Sequence, residues 1–195
     1  MSMKILCETS MRHIHLSADH LRALFGESAQ LEVIRPLSQP GQFLSDKRVD
    51  LVTPKGAITN VAVLGPIRAQ TQVEISRTDC FALGLKDTPV RMSGDLEGTS
   101  GITLRASNKE ITIQSGVIIA RRHIHVNPIG AKKHGLTDGQ VVSLRFEGER
   151  GGVLENVVVR VNGEFATAAH IDSDEANAMG FNGGYVEIIQ AKTRE

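Results

Sequence analysis

The sequence predicts a mainly β chain: two small β-barrels or sandwiches, related by an internal repeat and capped by short α-helices. Three observations point there. Arg12-His13-Ile14-His15 recurs as Arg122-His123-Ile124-His125. Short β-branched runs, separated by turn signals, fill much of the chain. Helix signals are few, brief and tightly capped. Many short strands with few helices are the mark of such β folds.

In chain order, an apolar run through Ile5, Leu6 and Cys7 precedes the first His-x-His. A helix signal follows: Ser17 can N-cap, Leu21, Leu24 and Phe25 form an apolar face, and Gly26 stops it. Strands are expected at 49–53, 57–64, 102–104, 111–114 and 117–120. After the second His-x-His, Asn127 caps a helix with Pro128 at its first position and Gly135 at its end. Strands follow at 140–146, 153–161 and 185–189. Pro54-Lys55-Gly56, Ser107-Asn108, Asp138-Gly139, Gly151-Gly152 and Asn162-Gly163 supply the turns.

A second pair of segments aligns without a gap. Residues 74–85 read EISRTDCFALGL and residues 170–181 read HIDSDEANAMGF. Ile75 matches Ile171, Ala82 matches Ala178 and Gly84 matches Gly180. Each looks like a strand end, a capped short helix and a glycine C-cap. The aligned first positions are Glu74 and His170, both able to bind metal.

In a strand, side chains i and i+2 point to one face, about 7 Å apart at ~3.3 Å per residue. Two imidazoles so placed can converge on one ion; on a helix they would diverge. The intervening Ile14 or Ile124 then faces the apolar side. The first half thus offers His13, His15 and Glu74, and the second His123, His125 and His170. Three ligands leave a coordination position open, the catalytic rather than the structural arrangement for zinc. A single His-x-His is common by chance; two at matching repeat positions, each with a matching third ligand, favour metal. His20 and His134 lie inside the helix signals and read as surface or packing residues.

Composition excludes several classes. The chain has 195 residues, with 22 basic and 22 acidic side chains, so it lacks the basic excess of a nucleic-acid binder. Aromatics are only 4%, with no Trp, which argues against base stacking. No apolar window is long enough to span a membrane, and no polybasic run would draw the chain to one. The first residues meet a charge too early for a secretory signal, and two cysteines without a C-x-x-C fit the cytosol. Cys7 and Cys80 read as core residues, not nucleophiles. Phosphate loops, dinucleotide fingerprints, H-E-x-x-H and nucleophile elbows are missing from the sequence. Arg68 stands six residues before Glu74, where the other half has Glu164 before His170. An arginine there can bind phosphate through two parallel hydrogen bonds, though an isolated one is more often a solvated surface residue.

The paired RHIH motifs, LGPIR followed by TQVEIS, and HIDSDEAN together resemble the PduL-type phosphotransacylases, the phosphate propanoyltransferases. The resemblance runs from about residue 5 to 189. It implies two β-barrels with the active site at their interface, the first strand joining the C-terminal barrel: residues 1–11 plus 120–195 in one domain, 12–119 in the other. It implies interconversion of acyl-CoA plus phosphate with acyl phosphate plus CoA, by direct transfer at two divalent metal ions, usually zinc. Carried over by motif, His13, His15 and Glu74 hold one metal, His123, His125 and His170 the other, and Arg68 binds phosphate. Thr9, Ser10, Met11, Lys55, Phe81 and Asn177 become candidates for CoA contact. Gln39, Gln42, Gln72, Ser93 and Arg160 become further active-site candidates. A homodimer is implied. Compartment-bound members carry an amphipathic N-terminal extension; few residues precede Ile5 here, so the expectation is a cytoplasmic form serving acetate or propanoate metabolism. Two rivals stand beside this reading, a metal-dependent thioester hydrolase and a non-catalytic metal-binding barrel. Neither acetyl nor propanoyl is selected by the sequence.

Overall fold

The computed structural model describes residues 3–190. Residues 1–2 and 191–195, placed above in the domain completed by the first strand, lie outside the described residues. The elements run β1 (Met3–Ser10), β2 (His13–His15), α1 (Ala18–Phe25), β3 (Val33–Pro36), β4 (Phe43–Val52), β5 (Ala57–Gly65), β6 (Gln72–Glu74), α2 (Arg77–Leu83), β7 (Val90–Arg91), β8 (Ser100–Ala106) and β9 (Lys109–Ala120). They continue β10 (His123–Val126), α3 (Pro128–His134), β11 (Val141–Phe146), β12 (Gly152–Val161), β13 (Ala168–Asp172), α4 (Ser173–Ala178) and β14 (Gly184–Gln190). The described residues divide into two compact units, one of Met11–Ala120 and one of residues 3–10 with residues 121–190.

In the continuous unit the pairings close a ring: β4 to β5, β5 to β2, β2 to β6, β6 to β9, β9 to β8, and β8 back to β4. β3 extends β4, and β7 extends β9. Closure leaves the six ring strands without a free edge. Alternation along the strands turns Ile14, Leu51, Val63, Val73, Leu104 and Val117 inward, where none is exposed to solvent. Each such side chain contributes about 1.5–3 kcal/mol by leaving water.

The other unit is also a closed barrel, in the order β1-β13-β10-β12-β11-β14. Ile5, Ile124, Leu144, Val157, Val159 and Ile171 belong to its core. β1 pairs with β13 and β14. Mainly β character, two small barrels and short helices are therefore all present, as the sequence predicts, and each barrel closes with six strands. Among the described residues no helix is long and apolar enough to cross a membrane.

The repeat governs the pairing as well as the motifs. β2 lies between β5, parallel to it, and β6, antiparallel. β10 lies in the same way between β12 and β13. His13 is therefore opposite Glu74, and His123 opposite His170. The aligned glycines also agree: Gly84 and Gly180 have φ of 73° and 59°, a conformation that a Cβ disfavours. The next N–H turns back to the carbonyl of Cys80 or Ala176, closing each helix alike.

Three local expectations change. The 49–53 strand begins at Phe43, because Phe43 and Leu44 pair with both β5 and β3 beyond an irregularity at polar Ser45–Arg48, where apolar alternation is lost. The strands expected at 111–114 and 117–120 are one strand, β9. Gly116 lies inside it at φ 123°, and a Cβ there would meet the Thr71 carbonyl oxygen at 2.5 Å, so glycine fits where the pairing with β8 shifts register and the pairing with β6 begins. β3 was not anticipated, since all four of its residues are exposed and carry no alternation.

Candidate active site

Two triads gather in the structure, His13 with His15 and Glu74, and His123 with His125 and His170. Within each, one ligand atom per residue lies within 4.8 Å of the others. The strands explain this. Histidines i and i+2 share a face of β2 or β10, and the adjacent antiparallel strand places the third ligand opposite the first. The expected polar face is itself buried, His13 being 6% and His15 1% exposed, because β2 is a central strand.

Hydrogen bonds orient the first histidine of each pair. His13 Nδ1–H donates to the Met11 carbonyl at 2.8 Å, and His123 Nδ1–H to the Arg121 carbonyl at 2.8 Å. A carbonyl only accepts, so Nδ1 carries the proton and Nε2 presents its lone pair. That is the usual outer support of a metal-ligating histidine. His15 Nδ1 is buried without a hydrogen-bond partner, a costly state unless a cation takes its lone pair.

Electrostatics in the first triad follow from burial and one carboxylate. Burial alone would push Glu74 up, but His13, His15 and Arg68 hold it well below the usual carboxylate range. Burial would likewise pull His13 down, yet Glu74, with Oε2 3.5 Å from His13 Nε2, holds it above its ordinary value. The two shifts share a cause: this carboxylate demands a positive charge beside it, either a proton on His13 or a cation. Burial, with His13 and Arg68 nearby, lowers His15 to about 3, so it is neutral, as a metal ligand must be. Three N and O donors at this spacing fit a divalent ion with an open position.

The triads differ in their surroundings. Glu74 Oε1 accepts from Gln72 Nε2 and, at 3.0 Å, from Ser93 Oγ–H. Ser93 Oγ in turn accepts from Gln72 Nε2 at 2.8 Å and Arg68 Nη1 at 3.0 Å, while the Gly94 N–H holds Gln72 Oε1 at 2.8 Å. Three sequence candidates, Arg68, Gln72 and Ser93, thus form one network with Glu74. At the second triad the position of Gln72 is taken by Ala168. His125 packs instead on Phe165, ring centroids 4.0 Å apart, and Arg160 lies 5.6 Å from the Phe165 ring while pairing opposite His125 on β12.

The remaining candidates are less gathered. Lys55 and Phe81 meet: Lys55 Nζ donates to the Phe81 carbonyl at 2.6 Å and sits 4.5 Å from its ring, which is 80% exposed. Thr9 and Ser10 end β1, opposite Ile171 and Asp172, and Met11 supplies the carbonyl that orients His13. Asn177 is exposed on α4. Gln39 and Gln42 occupy the loop between β3 and β4, where the Gln42 N–H donates to the Gln39 carbonyl at 3.1 Å. His20 is not merely packing, since its Nδ1 lies 2.8 Å from Thr71 Oγ1.

Two neighbours escaped the sequence reading. Phe165 carries no motif, although one of only six phenylalanines. Glu8 is opposite His170 on β1, with Oε2 3.8 Å from His170 Nδ1. Only strand register reveals it.

Cys7 and Cys80 are both 1% exposed. Burial, with Glu175 and Glu8 adding to it, pushes the Cys7 thiol up to about 12, and burial raises Cys80. At pH 8 the Cys7 thiolate fraction is on the order of one in ten thousand. Neither thiol is expected to react with an aromatic disulfide reagent in the folded protein, and both should react after denaturation. Rapid modification of either in the folded state would reopen a covalent route.

The chain matches the family model described as phosphate propanoyltransferase over residues 6–182. A phosphate propanoyltransferase of Alkaliphilus metalliredigens is 52% identical over 182 residues, covering 93% of this chain and 85% of that protein. One of Thermotoga maritima is 49% identical over 186 residues, 95% of this chain and 88% of that protein. Another, of Listeria monocytogenes, is 46% identical over 187 residues, with 96% and 87% covered.

Proposed function

This chain belongs to the phosphate propanoyltransferase family, and on that footing we propose that it moves a propanoyl or acetyl group between coenzyme A and phosphate with two divalent ions held by its triads. It is a phosphate acyltransferase with acyl-CoA and phosphate as substrates. The observation that most supports the metal reading is the recurrence of one ligand geometry in both barrels. Zinc is the proposed ion, since both two imidazoles with a carboxylate and three imidazoles suit it.

When bound, the ions supply Lewis-acid polarisation of the thioester carbonyl and offset the charge on the leaving sulfur. His13 and His123 present Nε2 because backbone carbonyls hold their Nδ1 protons. Arg68 binds the phosphate and offsets its charge, its guanidinium aimed by Ser93. A phosphate oxygen then forms a bond to the acyl carbon while the C–S bond breaks and its electron pair leaves with sulfur. No oxidation state changes and no enzyme nucleophile is needed, consistent with both cysteines being buried. The first triad contains a carboxylate and the second does not, so the second leaves one more unit of positive charge on a bound dication.

The test is CoA release from propanoyl-CoA and acetyl-CoA, with and without phosphate, before and after chelation. The expected result is phosphate-dependent release, lost on chelation and restored by zinc. Release without phosphate would replace the transferase mechanism with hydrolysis. Full activity after complete metal removal would overturn the metal reading.

A further inference from the structure

Each first ligand is preceded by an arginine that reaches across to the helix cap following the third ligand. Arg12 Nε and Nη2 lie 3.0 and 2.8 Å from Asp79 Oδ1, and Nε also donates to Oδ2 at 3.0 Å. Arg122 Nε lies 3.2 Å from Glu175 Oε1. Asp79 and Glu175 hold the same place in the repeat: each is the third helical residue of a capping box, closed by Ser76 in α2 and by Asp172 in α4. Asp79 Oδ2 also accepts the Ser76 N–H at 3.2 Å, and Glu175 Oε2 the Asp172 N–H at 3.0 Å. The pairing persists although the acid and the cap residue both change between halves.

The chain path makes this more than a cap. The carbonyl that orients His13 belongs to Met11, and its peptide plane is completed by the Arg12 nitrogen. In the other half the carbonyl is that of Arg121, completed by Arg122. Holding the arginine therefore holds the plane that sets the rotation of the first imidazole. The same arginine ties that strand to the helix entered directly from the strand of the third ligand, Glu74 or His170. Only three residues of β2 and four of β10 carry the ligand pairs, so the strands alone give little resistance to shear.

We propose that Arg12 and Arg122 are positioning residues, each clamping the strand of two ligands to the cap beyond the third so that its triad keeps metal-binding spacing. The inference rests on the reading that the triads bind metal. At Arg12 the two-pronged contact with Asp79 suits it, since the planar fork fixes an angle that a lysine cannot.

The test compares wild-type protein with Arg12→Gln, Arg12→Lys, Arg122→Gln and Asp79→Asn. Asp79→Asn keeps an oxygen acceptor for the Ser76 N–H and removes the charge. Zinc affinity is read by competition with a chromophoric chelator, cobalt absorption bands report ligand geometry, and melting is recorded without metal. Each loss of a clamp is expected to weaken one of two zinc sites by about 10- to 100-fold and shift the cobalt bands. Arg12→Lys should fall between Arg12→Gln and wild type. Unchanged zinc affinity and cobalt bands in Arg12→Gln and Asp79→Asn would overturn the clamp, and so would a lower melting temperature with zinc binding intact. A wild-type protein that binds neither zinc nor cobalt would overturn the metal reading itself.

Discussion

His123→Ala is expected to remove one of two zinc ions per chain and to slow phosphate-dependent CoA release on the order of a thousandfold. A bound dication contributes several kcal/mol to stabilising developing charge, and each ~1.4 kcal/mol is tenfold in rate. His123 is 8% exposed and its ring is fixed by the Arg121 carbonyl, so its removal takes a pre-oriented donor out of the second triad. His13→Ala should act in parallel through the first triad, leaving Glu74 a buried carboxylate without its closest imidazole. Metal analysis and initial rates, with circular dichroism to verify folding, make the check. Full metal content and activity in both variants would sink the proposed roles of the two triads.

Arg68→Ala should raise the KM for phosphate by about ten- to a hundredfold, the size of one charge-assisted hydrogen bond lost at ~1.5–3 kcal/mol. The KM for acyl-CoA should move far less. Arg68 contacts Ser93 Oγ, which also donates to Glu74, so the substitution removes a group coupled to the first triad rather than an isolated surface charge. Arg68→Lys should recover part of the loss, because charge remains while the planar fork does not. Steady-state kinetics with phosphate varied decides it: an unchanged phosphate KM in Arg68→Ala would remove the assigned role.

Much of this site was legible because its chemistry follows strand periodicity. His-x-His sets two ligands on one face, and the gapless alignment of 74–85 with 170–181 locates the third in each half. Arg68 was legible as an odd polar residue, but its tie to Ser93 was not, since a contact across 25 residues depends on where the loop after β7 returns. Glu8 and Phe165 were invisible for the same reason: register and loop path bring them to His170 and His125. Exposed β3 and the polar half of β4 were missed because hydrogen-bond pairing, rather than apolar alternation, holds them in strands. The helices were read closely, because their caps are written in consecutive residues.

The placement of β1 orders assembly in time. Among the described strands β1 (Met3–Ser10) is synthesised before the others, whereas its partners β13 and β14 are synthesised after them. The ring within Met11–Ala120 has all its strands long before then and can close during translation. Ile5 and Cys7, core residues of the other barrel, must meanwhile wait for their neighbours. Translation therefore matures one triad early and the other only when β1 meets β13 and β14, and a product stalled before them would carry His13, His15 and Glu74 in a finished barrel beside an unpaired β1.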